Sequence, residues 1–128
     1  MCVHFTIKTS RREPIDLERL KAVSDLFIYS LGRGEFALEP QRFCWCNFVA
    51  NSQDTKFDMW QLDPYAQEAL QKAAGFLSES APMFRFTSTW YGDYVGTEIV
   101  VSDKTFMEII RTNKLRNHTT YIVKRGKR

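Results

Sequence analysis

Val3, Phe5 and Ile7 are apolar, and the residues between them, His4, Thr6 and Lys8, are polar. A period of two predicts a half-buried strand. Arg11, Arg12 and Glu13 break the pattern, and Pro14 suits the first turn of a helix, where its missing N–H costs nothing. Leu17, Leu20, Val23, Phe27, Ile28 and Leu31 then share one helical stripe, with Glu18, Lys21 and Asp25 off it. The first helix is therefore expected to run on until Gly32 and Gly34 stop it. Phe36 to Val49 reads as one or two strands around Pro40, of which Arg42 to Ala50 is the better, and Phe57 to Leu62 adds a short one. Asp63-Pro64 is a cap followed by proline at the first helical position. Ala66, Ala69, Leu70, Ala73 and Leu77 recur behind it at helical spacing, small enough to lie close on a sheet.

Residues 83–101 form the sharpest local pattern. Gly92-Asp93 separates two alternating runs, the signature of a two-residue hairpin. That turn pairs Tyr91 with Tyr94, Trp90 with Val95, Phe86 with Ile99 and Phe84 with Val101, and sets Thr87 against Glu98. Ser102 or Thr105 caps a short third helix carrying Phe106, Ile109 and Ile110, with Asn113 as its end. Thr119 to Lys124 reads as a last strand. The order predicts an α+β fold: a ferredoxin-like split β-α-β core with a mainly antiparallel sheet and two helices on one face. A C-terminal hairpin, short helix and strand extend it. Residues 1–124 are expected to form one domain, and 125–128 a frayed basic tail.

Composition narrows the class. The 128 residues are 44% apolar and 26% charged, which is globular and far from disorder. Aromatics reach 14%, which favours strands. No apolar run approaches the ~18 residues of a membrane span. The N-terminus lacks the order of a secretory signal. Three cysteines are an odd count, against a secreted disulfide framework. These features point to a cytoplasmic chain with no membrane role. Net charge is +3 but uneven: residues 1–103 hold 10 basic and 14 acidic side chains, residues 104–128 hold eight basic and one acidic. Such asymmetry suggests an acidic partner.

Several constellations are candidates for chemistry. Cys2-x-His4 and Cys44-x-Cys46 each place two soft ligands on one face of a strand, and neighbouring strands would gather four around zinc. Val3, Phe5, Phe43 and Trp45 would then pack the core. Ordinary burial of cysteine competes with that reading. Cys2, once exposed at an N-terminus, is a candidate nucleophile. Lys104, Arg111, Lys114, Arg116, Lys124, Arg125, Lys127 and Arg128 form a basic end suited to phosphates, with His118 and Tyr121 as stacking groups. A solvated charged face is the competing reading. Asp54, Asp58, Asp63, Asp93, Glu98 and Asp103 lack the partners of a metal nuclease, and Gly32-x-Gly34 lacks the rest of any phosphate loop. Tyr91, Asp93, Tyr94 and Trp60 are candidates for contact with a protein, since Tyr and Trp suit interfaces.

The strand order and aromatic strands resemble the RNA-recognition module, whose signature strand would fall on Arg42 to Val49. That stretch lacks the glycine expected after the basic residue. The reading that results is a small non-enzymatic binding protein of inhibitor or adaptor type, without a cofactor, docking on a protein partner. Short chains of this kind are frequent among accessory proteins of phages and mobile elements. A nucleic-acid-binding module and a zinc- or thiol-dependent protein are the alternatives. Oligomeric state is not legible from the pattern.

Overall fold

The computed structural model describes residues 3–10, 15–52, 59–90 and 95–126. It is a mixed α+β structure with three α-helices among these residues and a mostly antiparallel main sheet. The strands are β1 (Val3–Lys8), β2 (Leu26–Gly32), β3 (Glu35–Pro40), β4 (Val49–Ser52), β5 (Met59–Leu62), β6 (Met83–Trp90), β7 (Thr97–Ser102) and β8 (Thr119–Lys124). The helices are α1 (Leu17–Ser24), α2 (Pro64–Ser80) and α3 (Asp103–Arg111). Six strands make the main sheet in the order β2-β3-β1-β6-β8-β7, and β4 and β5 pair apart from it.

Four elements follow the sequence pattern closely. In β1, Val3, Phe5 and Ile7 are buried in the core. Asp63 caps α2 by accepting the Ala66 N–H at 2.9 Å, and Ala66, Ala69, Leu70, Ala73 and Leu77 are its buried stripe. Ser102 caps α3 by accepting the Thr105 N–H at 3.1 Å. Residues 119–124 form β8.

Three expectations are corrected. The first helix is about half its expected length. Asp16 caps it, and Asp25 ends it in the left-handed region with φ 58°, donating its N–H to the Lys21 carbonyl. Leu26 to Gly32 is instead a strand, with Leu26 and Ile28 buried and Phe27, Tyr29 and Leu31 exposed. A run of four apolar residues, Leu-Phe-Ile-Tyr, favours the pleated form and fits both periods. Gly32, Arg33 and Gly34, all at positive φ, make the turn into β3 rather than a helix stop.

The expected strand from Arg42 to Ala50 is replaced by a loop and a single 3-10 turn at Trp45–Asn47. Phe43 there has φ 68° and is 76% exposed, so it does not join the core, whereas Trp45 is fully buried.

The third correction concerns β6 and β7, which are not a hairpin pair. β8 lies between them, antiparallel to β6 and parallel to β7, with α3 as the crossover. Phe86 meets Tyr121, which meets Ile99; Phe84 meets Val123, which meets Val101. Trp90 pairs with Val3, and Thr87 reaches Thr120 rather than Glu98. The expected residues therefore share faces as the alternation requires, but across an inserted strand. Residues 91–94, where the turn was expected, lie outside the described residues.

The core sits between the sheet and one helical layer in which α1 packs on α2 and α2 on α3. Phe106 of α3 stacks near Phe86 and Tyr121, with centroids 5.1 and 5.3 Å away. Trp45 donates to the Leu38 carbonyl at 2.7 Å and meets Phe5 edge-on. The polar groups of the buried large rings are satisfied, since the Trp60 indole donates to Ser88 and the Tyr121 hydroxyl accepts the Arg116 N–H.

Candidate interaction surface

Side chains alternate across a strand, so the sheet has a second face opposite the core. Among the described residues no helix lies on it. One register row crosses all six strands there: Tyr29, Ala37, Thr6, Thr87, Thr120 and Glu98. Its middle is small and flat, with Thr6, Ala37 and Thr120 shielded by their neighbours. The next row runs Glu35, Lys8, Arg85, Ile122 and Val100. Arg85 bridges to Glu98 at 3.3 Å over the intervening β8.

Apolar exposure collects at the β2 edge. Phe27, Tyr29 and Leu31 are 42%, 53% and 51% exposed; Phe27 and Tyr29 lie on the open face with rings 6.2 Å apart, and Leu31 follows at the irregularity in the strand. Leu26 and Ile28 point the other way into the core and hold the strand in place. β2 contains no charged residue and no proline, while β1, β3, β6, β7 and β8 each carry a charge. An edge strand normally carries a charge or proline that blocks further pairing.

The open face also holds two shifted titrations. Burial pushes the His4 imidazole below its ordinary pKa, with Glu35 acting weakly in the opposite sense. Burial raises the Glu39 carboxyl. Neither group belongs to a metal-like cluster among the described residues.

The residues singled out from sequence are scattered. Trp60 is fully buried against Trp90, with centroids 4.9 Å apart, so it is a core residue and not a contact for a partner. Tyr91, Asp93 and Tyr94 lie outside the described residues, as do Cys2, Lys127 and Arg128. The basic set divides between the two ends of α3. Arg111, Lys114 and Arg116 lie at its C-terminal end, where Arg111 pairs with Glu108. Lys104, Lys124 and Arg125 lie at the other end. Nine helical residues at ~1.5 Å each separate the groups. The tail is not frayed at its start: Arg125 donates its N–H to the Pro82 carbonyl and Gly126 to Asp103.

Cys44 and Cys46 flank Trp45 on the 3-10 turn, with their sulfurs 3.5 Å apart. They lie on this turn rather than on the expected strand, and Cys2 lies outside the described residues. Among the described residues no group of three or more His, Cys, Asp or Glu gathers as a metal would require. A shallow cavity of about 340 Å³ beside Cys46 is lined by Phe48, Val49, Gln61 and Asp63. Its one carboxylate already caps α2. The expected RNA-binding strand is also absent, and Phe36 of β3 faces the core side, so no aromatic lies on the central strands of the open face.

The strip at Phe27, Tyr29 and Leu31 escaped sequence reasoning because Phe27 and Leu31 fitted the helical stripe. The signal that would have found it is the hairpin reading of Gly32-Arg33-Gly34. No helix among the described residues is long and apolar enough to cross a membrane. No family model, curated protein or solved structure matches this chain.

Proposed function

We propose that this chain is a non-enzymatic docking module of inhibitor or adaptor type, which binds protein through β2 and the adjoining open face of its sheet. The observation that carries the reading is the exposed Phe27, Tyr29 and Leu31 strip on an uncharged edge strand. Exposed strand edges bind extended partners by adding a strand, with main-chain hydrogen bonds for affinity and alternate side chains for specificity. No cofactor takes part. The scaffold is a ferredoxin-like split β-α-β core, supported by the antiparallel order β2-β3-β1-β6 with α1 and α2 on one face, extended by β7-α3-β8. It works in the cytoplasm, where Cys44 and Cys46 stay reduced. Tyr91, Asp93 and Tyr94, in the segment between β6 and β7, are a second contact in this reading.

A nucleic-acid-binding role has one observation in its favour: the tether between Gly126 and Asp103 holds Lys104, Lys124 and Arg125 at one end of the sheet. Capture from the native cell, run with and without nuclease, separates the two. The docking reading predicts a nuclease-resistant partner lost with Tyr29→Lys. A ligand lost to nuclease or to salt, and to neutralised Lys104, Lys124 and Arg125, supports the other.

A further inference from the structure

We propose that the protein docked on β2 is a second copy of this chain, the two β2 strands pairing antiparallel about a two-fold axis into one continuous sheet. This rests on the docking role given to β2 and names its occupant.

A two-fold pairing sets each strand against itself. Any charge near the axis meets its own kind, and like charges directly opposite destabilise a strand pair. β2 is the one strand of the main sheet that meets this condition, with no charge from Leu26 to Gly32. Its ends are complementary as well. Asp25 precedes the strand and Arg33 follows it, each four residues from Tyr29, and both are exposed. Antiparallel self-pairing brings the acidic end of one copy to the basic end of the other. With Tyr29 opposite its mate, Asp25 stands against Arg33 of the partner subunit.

The same register fits the side chains. Phe27 falls opposite Leu31 of the partner subunit, and Tyr29 opposite Tyr29 of the partner subunit. Phe27 and Tyr29 of both copies lie on the open face by their register with Glu39 and Ala37, and exposed Leu31 borders them, making one apolar strip across the join. The irregularity between Ser30 and Gly32 begins one residue from the axis, in the pairing of β2 with β3. Joining β2 to β7 instead would leave a free edge on each copy and build an open filament. It would also bring Glu98 to the seam.

Sedimentation equilibrium over micromolar to submillimolar concentrations tests this on the full chain. The wild type is expected to dimerise in the micromolar range, as suits a small interface. Tyr29→Lys places two ammonium groups opposite one another and should weaken association at least about tenfold. Leu31→Lys should act in the same direction and serves if Tyr29→Lys fails to fold by circular dichroism. Val100→Lys, on the other edge, should leave the dimer unchanged. A wild type that is monomeric throughout, a dimer indifferent to Tyr29→Lys and Leu31→Lys, or one lost with Val100→Lys overturns the proposal. If the monomer still captures a foreign protein through Tyr29, self-pairing falls and docking on β2 stands. If capture is also indifferent to Tyr29, both fall.

Discussion

β2 and β7 both end the main sheet, yet only β7 carries a charge. Glu98 of β7 is held by Arg85 two strands away, and Ser102 at its end caps α3. Val100 is the most exposed apolar residue there, at 60%, and it has no apolar neighbour two places along on its own strand. β2 has Phe27 and Tyr29 exposed on one face, with exposed Leu31 at the irregularity beyond them, and is joined to the sheet by a tight turn. Charge on an outer strand opposes further pairing. The contrast separates a protected edge from one that is open to a partner.

The largest effect should come from removing what supports the β7 side. Phe106 packs against Phe84, Phe86 and Tyr121 and is fully buried. Phe106→Ala should cost about 3–5 kcal/mol in urea unfolding. Ser102→Ala removes the α3 cap and should cost about 1 kcal/mol in the same assay. Arg85→Ala breaks an ion pair whose partners are about half exposed, so its cost should stay below about 1 kcal/mol and shrink with salt. Tyr29→Lys should change monomer stability by about 0.5 kcal/mol or less, because it alters an exposed surface side chain. That small stability change, set against a large loss of association, would distinguish a docking residue from a structural one.

The face joining the two edges has its own pH dependence. The folded chain holds His4 below its ordinary pKa, so acid favours the unfolded state. The His4 contribution to stability is whole above about pH 6.5 and is lost as pH falls through the unfolded value toward the folded one. Glu39, raised by burial, has the opposite sign in a more acidic window: it destabilises at neutral pH, and that penalty fades as pH falls. The urea midpoint of the wild type should fall further between pH 7.5 and 5.5 than that of His4→Gln.

Much of this layout is legible in the residue pattern where one period has no rival. Asp63-Pro64 starts α2, Ser102 starts α3, and β1 alternates without interruption. The pattern fails where two periods overlap. Phe27, Ile28 and Leu31 fit a helical stripe as well as a strand, and Asp25 in the left-handed region decides the matter. It fails again where local agreement hides a long-range insertion. The alternation of β6 and β7 keeps its parity with β8 between them, so the hairpin register was self-consistent yet wrong. β8 carried a usable signal: Tyr121, Ile122 and Val123 are a continuous apolar run, as in a strand buried on both faces, and the structure buries Thr119, Thr120, Tyr121 and Val123. The candidate interaction surface is the least legible part, because it depends on which strand ends the sheet.

Concentration-dependent amide hydrogen exchange reads the two edges in one experiment. The account predicts that outward-facing amides of β2, between Leu26 and Gly32, gain protection as the protein is concentrated, while those of β7 do not change. Equal protection of β2 at low and high concentration, or a gain at β7 instead, would contradict it.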